Sequence, residues 1–257
     1  MSPTKQKQQL LHNEHYWDLL KDEKLNFLFT TQLFPCPYLP NRKERKIVSR
    51  LTDTDSSESY SSFLAAGYRR SGFFSYMPAC PQCNACIPFR VPISNFIYKN
   101  SLKRVTKLNH DLTSDIRSPI ATKEHYDLFQ RYQKGRHQQG DMANMSFDDF
   151  NNLVNETSVL TWLAEYRTRS HRLLGVSIFD EVDNAISAIY TFYDPMESKR
   201  SLGTHMILDL IKISERKKKK YLYLGFWIED NPKMAYKARF TRGQIFKNGT
   251  WINAEKS

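Results

Sequence analysis

Apolar and polar positions change rhythm several times along the chain. Residues 1–24 are polar and charged and are expected to form a partly helical leader. From Leu25 to Leu33 the chain is apolar and β-prone, and it then meets PCPYLP, a proline-punctuated turn. NRKERKIVSR (41–50) follows with dense positive charge. A polar loop from Asp53 to Ser59 leads to a short helix over Tyr60–Ala66, which Gly67 is suited to close. Between Gly67 and Ile93, Pro78, Pro81, Pro88 and Pro92 remove backbone donors at short intervals, so this stretch reads as loops and short strands.

Beyond residue 120 the rhythm becomes regular. His125, Phe129 and Tyr132 fall at helical spacing within a helix over 122–137, and Ser146 with Asp149 makes a capping box that opens another. From Val159 the period shortens. VLTWLAEYRT, HRLLGVSIFD and AISAIYTFY are strands, the last two joined by an EVDN turn. In the third, Ile186, Ala188, Tyr190 and Phe192 share one face, and Ser187, Ile189, Thr191 and Tyr193 the other, so both faces are expected to be buried. A helix over 203–216 follows, with Ile207, Leu210 and Ile211 as its stripe. Then come the strand YLYLGFWI and a helical piece near PKMAYKARF. This order predicts an α/β layer around a mixed sheet, residues 111–257, beside an N-terminal module spanning 1–110.

Composition narrows the class. With 257 residues, 40% hydrophobic and 13% aromatic, the chain can bury a core, which argues against disorder. No apolar run approaches the roughly 20 residues of a membrane span. The N-terminus lacks a secretory apolar core and is not Arg/Ser-rich, so a cytosolic protein with no membrane partner is expected. A net charge of +11 favours a polyanionic partner, most simply a nucleic acid. Cys80, Cys83 and Cys86, spaced C-x-x-C-x-x-C, and the distant Cys36 are spaced unlike a disulfide framework. They offer four soft ligands for a structural zinc ion or an iron–sulfur cluster, or they are free thiols.

Nine strings then occur in order: CPYLP (36–40), GYRRSG (67–72), YMPACPQCNACIPFRVP (76–92), SLKR (101–104), RYQKGRH (131–137), YTFYDP (190–195), SLGT (201–204), YLYLGFWI (221–228) and KMAYKARF (233–240). Together they resemble the bacterial aspartate/glutamate leucyltransferases, relatives of the eukaryotic arginyltransferases, over roughly residues 27–251. The resemblance implies an acetyltransferase-like (GNAT-type) C-terminal fold. It also implies transfer of an aminoacyl group, leucyl for bacterial members of this length, from charged tRNA to proteins beginning with Asp or Glu. The new N-terminal residue marks the acceptor for N-degron degradation. QQGDMANMS (138–146) departs from the glycine-rich, histidine-containing stretch that the resemblance leads one to expect.

The chemistry of that reaction selects residues. The tRNA ester is already activated, so no cofactor is required, and the acceptor α-amine has an ordinary pKa of about 7.7–8. What remains is alignment, removal of one proton and stabilisation of an oxyanion. Asp194, ending the YTFYDP strand, is the candidate base, assisted by Tyr190 or Tyr193; the alternative is that Asp-Pro starts a turn. The acceptor's carboxylate calls for a cation, for which Arg69 and Arg70 come first and Lys103 and Arg104 second. Basic surface for tRNA is offered by Arg42, Lys43, Arg45 and Lys46, and by Lys233, Lys237 and Arg239. Residues 216–220 are either a solvated helix end or a third tRNA contact. Tyr193, Phe226 or Trp227 can stack a terminal base, and the SLGT backbone can bind an anion. His137 and His205 stay outside the catalytic set. The rival readings are an arginyl-tRNA donor, a non-catalytic metal-containing RNA-binding module, and an acetyl-CoA-dependent acetyltransferase. No glycine-rich pyrophosphate loop supports the last.

Overall fold

The computed structural model describes residues 28–51, 56–138, 140–229, 231, 234–240 and 242–254; the expected leader, 1–24, lies outside them. Chain order opens with strands β1 (Leu28–Thr30), β2 (Phe34–Pro35), β3 (Lys43–Glu44) and β4 (Lys46–Arg50), then helix α1 (Ser56–Ala65). Strands β5 (Arg69–Ser71), β6 (Phe74–Pro78) and β7 (Ile87–Pro92) follow, then α2 (Asn100–Leu108), β8 (Thr113–Arg117), α3 (Lys123–Arg136) and α4 (Phe147–Asn155). The meander β9 (Thr161–Arg167), β10 (Leu173–Val182) and β11 (Ala185–Tyr193) leads to α5 (Leu202–Arg216), β12 (Tyr221–Trp227) and the hairpin β13 (Gln244–Lys247) and β14 (Thr250–Asn253).

Local signals fix most of these boundaries. The Thr122 side chain accepts from the His125 N–H and caps α3, and Ser146 with Asp149 forms the expected capping box on α4. Gly67 closes α1 at φ +88°, a conformation costly for any residue with a Cβ. Two expectations change. Lys46–Arg50, read as part of a basic segment, is β4 in the interior of a four-stranded sheet of order β1-β4-β6-β5. The helical piece near PKMAYKARF is a single 3-10 stretch, Ala235–Arg239.

The large sheet has the order β14-β13-β7-β12-β11-β10-β9-β8. Its β11–β12 pair is parallel, with α5 as the crossover, and its other pairs are antiparallel. This is the mixed sheet with helical layers that was expected. The sheet draws on both sides of residue 110, because β7 runs inside it. Two prolines in an interior strand need explanation. The Ile93 N–H donates toward Lys220 beside β12, so alternation directs positions 88, 90 and 92 toward β13. There β13 pairs only with Phe89 and Arg90, and Pro88 and Pro92 leave no partner without a donor.

Helices cover both faces. On one, α2 and α5 bury Leu102, Val105, Met206, Leu210 and Ile211 against Val91, Ile186 and Leu222. On the other, Phe129 and Phe150 of α3 and α4 meet Phe192, with Phe129–Phe192 centroids 5.6 Å apart. The small sheet is tied to the large one by a buried ion pair. Arg70 grips Asp180 of β10 through Nε at 2.7 Å and Nη2 at 2.8 Å, and Asp180 also accepts from the Thr161 hydroxyl at 2.7 Å. Such a pair contributes little net stability while intact, but losing one partner strands the other charge in the core. Arg70→Leu is therefore expected to lower the unfolding free energy by roughly 3–5 kcal/mol in urea denaturation. The Arg70→Leu/Asp180→Leu double variant should recover much of that loss.

Candidate active site

The two parallel strands at the centre of the sheet separate after three residue pairs. Ala185, Ile186 and Ser187 pair with Tyr221, Leu222 and Tyr223, and no pair follows. Each strand carries an extra residue where they part. Ile189 is bulged in β11 between the Ile178–Tyr190 and Phe179–Ala188 pairs, and β12 is bulged over Leu224–Gly225 against β7. The consequence shows in exposure. Residues 188–191 of β11 are half-exposed in the middle of an eight-stranded sheet, correcting the expectation that both its faces are buried.

An open gap between strands leaves carbonyls without N–H partners, and two basic side chains supply them. Arg69 reaches in from β5 and donates through Nη2 to the carbonyls of Ile189 (3.0 Å) and Ala188 (3.4 Å). Lys237 donates to the Phe226 carbonyl on the opposite strand. Gly225, at φ +72°, makes room, because a Cβ there would stand 2.6 Å from the Arg69 guanidinium. Arg69 has no carboxylate partner among the described residues, and its Nε and Nη1 make no hydrogen bond among them. The groups acting most strongly on it are Tyr76, Tyr38, Tyr60 and Tyr236. Burial, reinforced by the Arg69 charge, holds the Lys237 amine well below the usual lysine range.

The far wall of the gap is aromatic. The Gln133 amide of α3 donates to the Tyr190 hydroxyl at 2.7 Å, and Tyr132 packs on Tyr193 with ring centroids 4.9 Å apart. Tyr193 also meets the first turn of α5, where a Cβ on Gly203 would lie 3.1 Å from its ring. That turn has Ser201 in the left-handed region and no side-chain cap, so its backbone donors are open.

Several expected roles fail on geometry. Asp194 is buried, accepts from Arg172 Nη2 at 2.6 Å and from the Met196 N–H at 3.0 Å, and starts a 3-10 turn; it is a cap, not a base. Arg70 is consumed by Asp180 and is no substrate reader. Lys103 and Arg104 are exposed on α2 and share no partner with Arg69. Lys237 is interior rather than tRNA-binding surface. Arg42 and Lys43 are exposed; Arg45 and Lys46 are half-buried, and Lys46 pairs with Glu44 at 3.5 Å. Arg239 is exposed and donates to Thr204, and Lys233 lies outside the described residues. Of the expected set, Arg69, Tyr190, Tyr193 and Lys237 border the gap. Gly225, Gln133 and Tyr132 were missed. Gly225 had a readable signal, since a glycine inside a strand marks a bulge or the close approach of another group.

The four cysteines converge. Burial and then the neighbouring thiols of Cys36, Cys80 and Cys83 push the Cys86 thiol up to about 12. Arg42 donates to Cys83 Sγ at 3.1 Å. Four thiols suit a soft metal ion chemically, yet among the described residues no three ligand-type side chains are placed to hold one.

Open backbone donors and a guanidinium without a carboxylate, set between two parted strands, are the kind of chemistry that an acyl-group transferase uses. Residues 34–104 match "Arginine-tRNA-protein transferase, N terminus" and 124–247 match "Arginine-tRNA-protein transferase, C terminus". Over 228 residues the chain is 42% identical to the aspartate/glutamate leucyltransferase of Gluconacetobacter diazotrophicus, covering 89% of this chain and 88% of that one. It is 38% identical to that of Granulibacter bethesdensis over 225 residues, covering 88% and 84%. Among solved structures, L-PGS from Bacillus licheniformis matches with a TM-score of 0.46 at 11% identity, covering 68% of this chain and 51% of that one. The chain belongs to the arginine-tRNA-protein transferase family and is an aminoacyltransferase. No helix among the described residues is long and apolar enough to cross a membrane.

Gly225→Val is expected to expel Arg69 from the gap and abolish transfer. The midpoint of thermal unfolding should fall as well, because φ +72° at this position strains any residue with a Cβ, a β-branched one most.

Proposed function

We propose that the chain transfers leucine from Leu-tRNA to the α-amine of proteins that begin with Asp or Glu. The observation that carries this reading is Arg69, a guanidinium held in the cleft without a carboxylate and with donors to spare. An acidic acceptor side chain completes it, and an amide or apolar side chain does not. The acceptor amine then attacks the ester carbonyl. A C–N bond forms, the C–O bond to the ribose breaks, and the ribose oxygen leaves with a proton. The Tyr190 hydroxyl, oriented by Gln133, and the open N–H groups of α5 suit the charge that develops on the carbonyl oxygen. Lys237, whose environment favours the neutral amine, takes the proton that Asp194 was expected to take.

A neutral donor side chain is favoured by the same surroundings. The wall facing the gap is built from Tyr132, Tyr190 and Tyr193, which suits an apolar aminoacyl side chain. The product carries an N-terminal leucine, which fits a cytoplasmic role in marking proteins for N-degron degradation.

Parallel assays with Leu-tRNA and Arg-tRNA and an Asp-initiated peptide test the donor; leucine should be incorporated and arginine should not. Arg69→Gln is expected to raise KM for Asp and Glu peptides by roughly 30-fold or more, and to erase their preference over Asn and Gln peptides. An unchanged preference would defeat the assignment. Lys237→Arg keeps a donor for the Phe226 carbonyl but cannot act as a base, so kcat should fall by roughly 100-fold or more. Retained kcat in that variant would give Lys237 a purely structural role.

A further inference from the structure

Helix α2 breaks the rules that its neighbours follow. α3 begins with Glu124 and α4 with Asp148 and Asp149, as the helix dipole favours. α2 has no acid in its first turn, and its N-cap is Lys99, whose side chain makes no capping bond. Leu102 and Val105 are buried on its inner side. On the outer side Lys99, Lys103 and Lys107 stand one turn apart, with Arg104 beside them, all exposed. Like charges at this spacing repel. Some cations elsewhere on the molecule find carboxylates, as in Lys123–Asp127, Arg167–Glu124 and Lys217–Glu181. The side chains of these four make no ion pair or hydrogen bond among the described residues. A local violation with no compensation inside the fold points to a partner outside it.

The row also has a direction. At its end the Asn109 amide donates to the Arg200 carbonyl at 2.8 Å, and Arg200 Nε donates back to Asn109 Oδ1 at 2.9 Å. Arg200 immediately precedes Ser201, the N-cap of α5, whose first turn packs on Tyr193 in the cleft. The cations therefore run for roughly 12 Å along α2 and end near the N-terminus of α5, whose first turn borders the gap.

We propose that the outer face of α2 is the docking track for the donor RNA, with Lys99, Lys103, Arg104 and Lys107 neutralising consecutive backbone phosphates while the aminoacylated end enters the gap. The track rests on the transfer reading for the identity of its RNA. It recasts Lys103 and Arg104 from readers of the acceptor's acid to readers of the donor's backbone. Exposed Ile97 and Leu108 flank the row, so an anionic membrane is the competing occupant. The alignment of the cations toward the cleft favours the RNA.

The test uses the full chain and labelled, uncharged tRNA, with binding measured over a range of salt. Lys103→Ala/Arg104→Ala/Lys107→Ala should weaken binding by roughly 30-fold or more and reduce the slope of log affinity against log salt by about two to three. The peptide KM and the rate at saturating Leu-tRNA should stay within about twofold, since the track lies outside the cleft. Unchanged thermal unfolding shows that the substitutions spare the fold. Unaltered tRNA affinity overturns the proposal. So does tRNA binding left intact while binding to phosphatidylserine vesicles is lost. If the unaltered chain binds tRNA through this row but never extends an acidic peptide, the track stands and the transfer reading fails. If it binds no tRNA at all, the track falls.

Discussion

The site depends on hydrogen bonds that the sheet does not make. Parallel strands normally satisfy every interior carbonyl, and β11 and β12 stop doing so after Ser187 and Tyr223. Closing the gap would bury the carbonyls of Ala188, Ile189 and Phe226 against backbone donors, and there would be no cleft. Leaving it open without partners would cost the desolvation of several polar groups. Arg69 and Lys237 resolve the conflict by donating from side chains, which can satisfy a carbonyl without drawing the second strand in. The same choice places a guanidinium and a basic amine side by side in the gap. Structural necessity and chemistry thus share residues.

The surroundings hold that arrangement still. The bulges at Ile189 and Leu224–Gly225 start the divergence, α5 packs across both strands, and aromatic contacts from α3 and α4 fix the far wall. The Arg70–Asp180 pair anchors β5 to β10, so that the preceding residue, Arg69, arrives at the gap from an anchored strand. Two adjacent arginines with the same side-chain chemistry therefore do opposite things. Alternation along β5 sends Arg70 toward a buried acid and Arg69 toward an open cleft.

The helical cations of α2 extend the same logic outward. Inside the fold, a charge without a counter-charge marks the proposed acceptor pocket; on its surface, a row of them marks the proposed track. Both are places where local consistency is given up, and in both the missing partner is an anion.

Much of the fold was legible in the residues. Periodicity and capping located α3, α4, α5 and the meander of β9, β10 and β11, because burial of one face writes itself directly into the spacing of apolar positions. Nine ordered strings identified the family. Tertiary structure decided what the individual polar residues do. Asp194 and Arg70 looked catalytic by type, but whether a carboxylate or guanidinium is free depends on what stands opposite it, and Arg172 and Asp180 are 22 and 110 positions away. Lys237 looked like surface because lysines usually are, and only the unsatisfied Phe226 carbonyl explains its burial. Sequence spacing encodes which faces are apolar. It does not encode which strands part, and the parting of β11 from β12 assigns the chemistry.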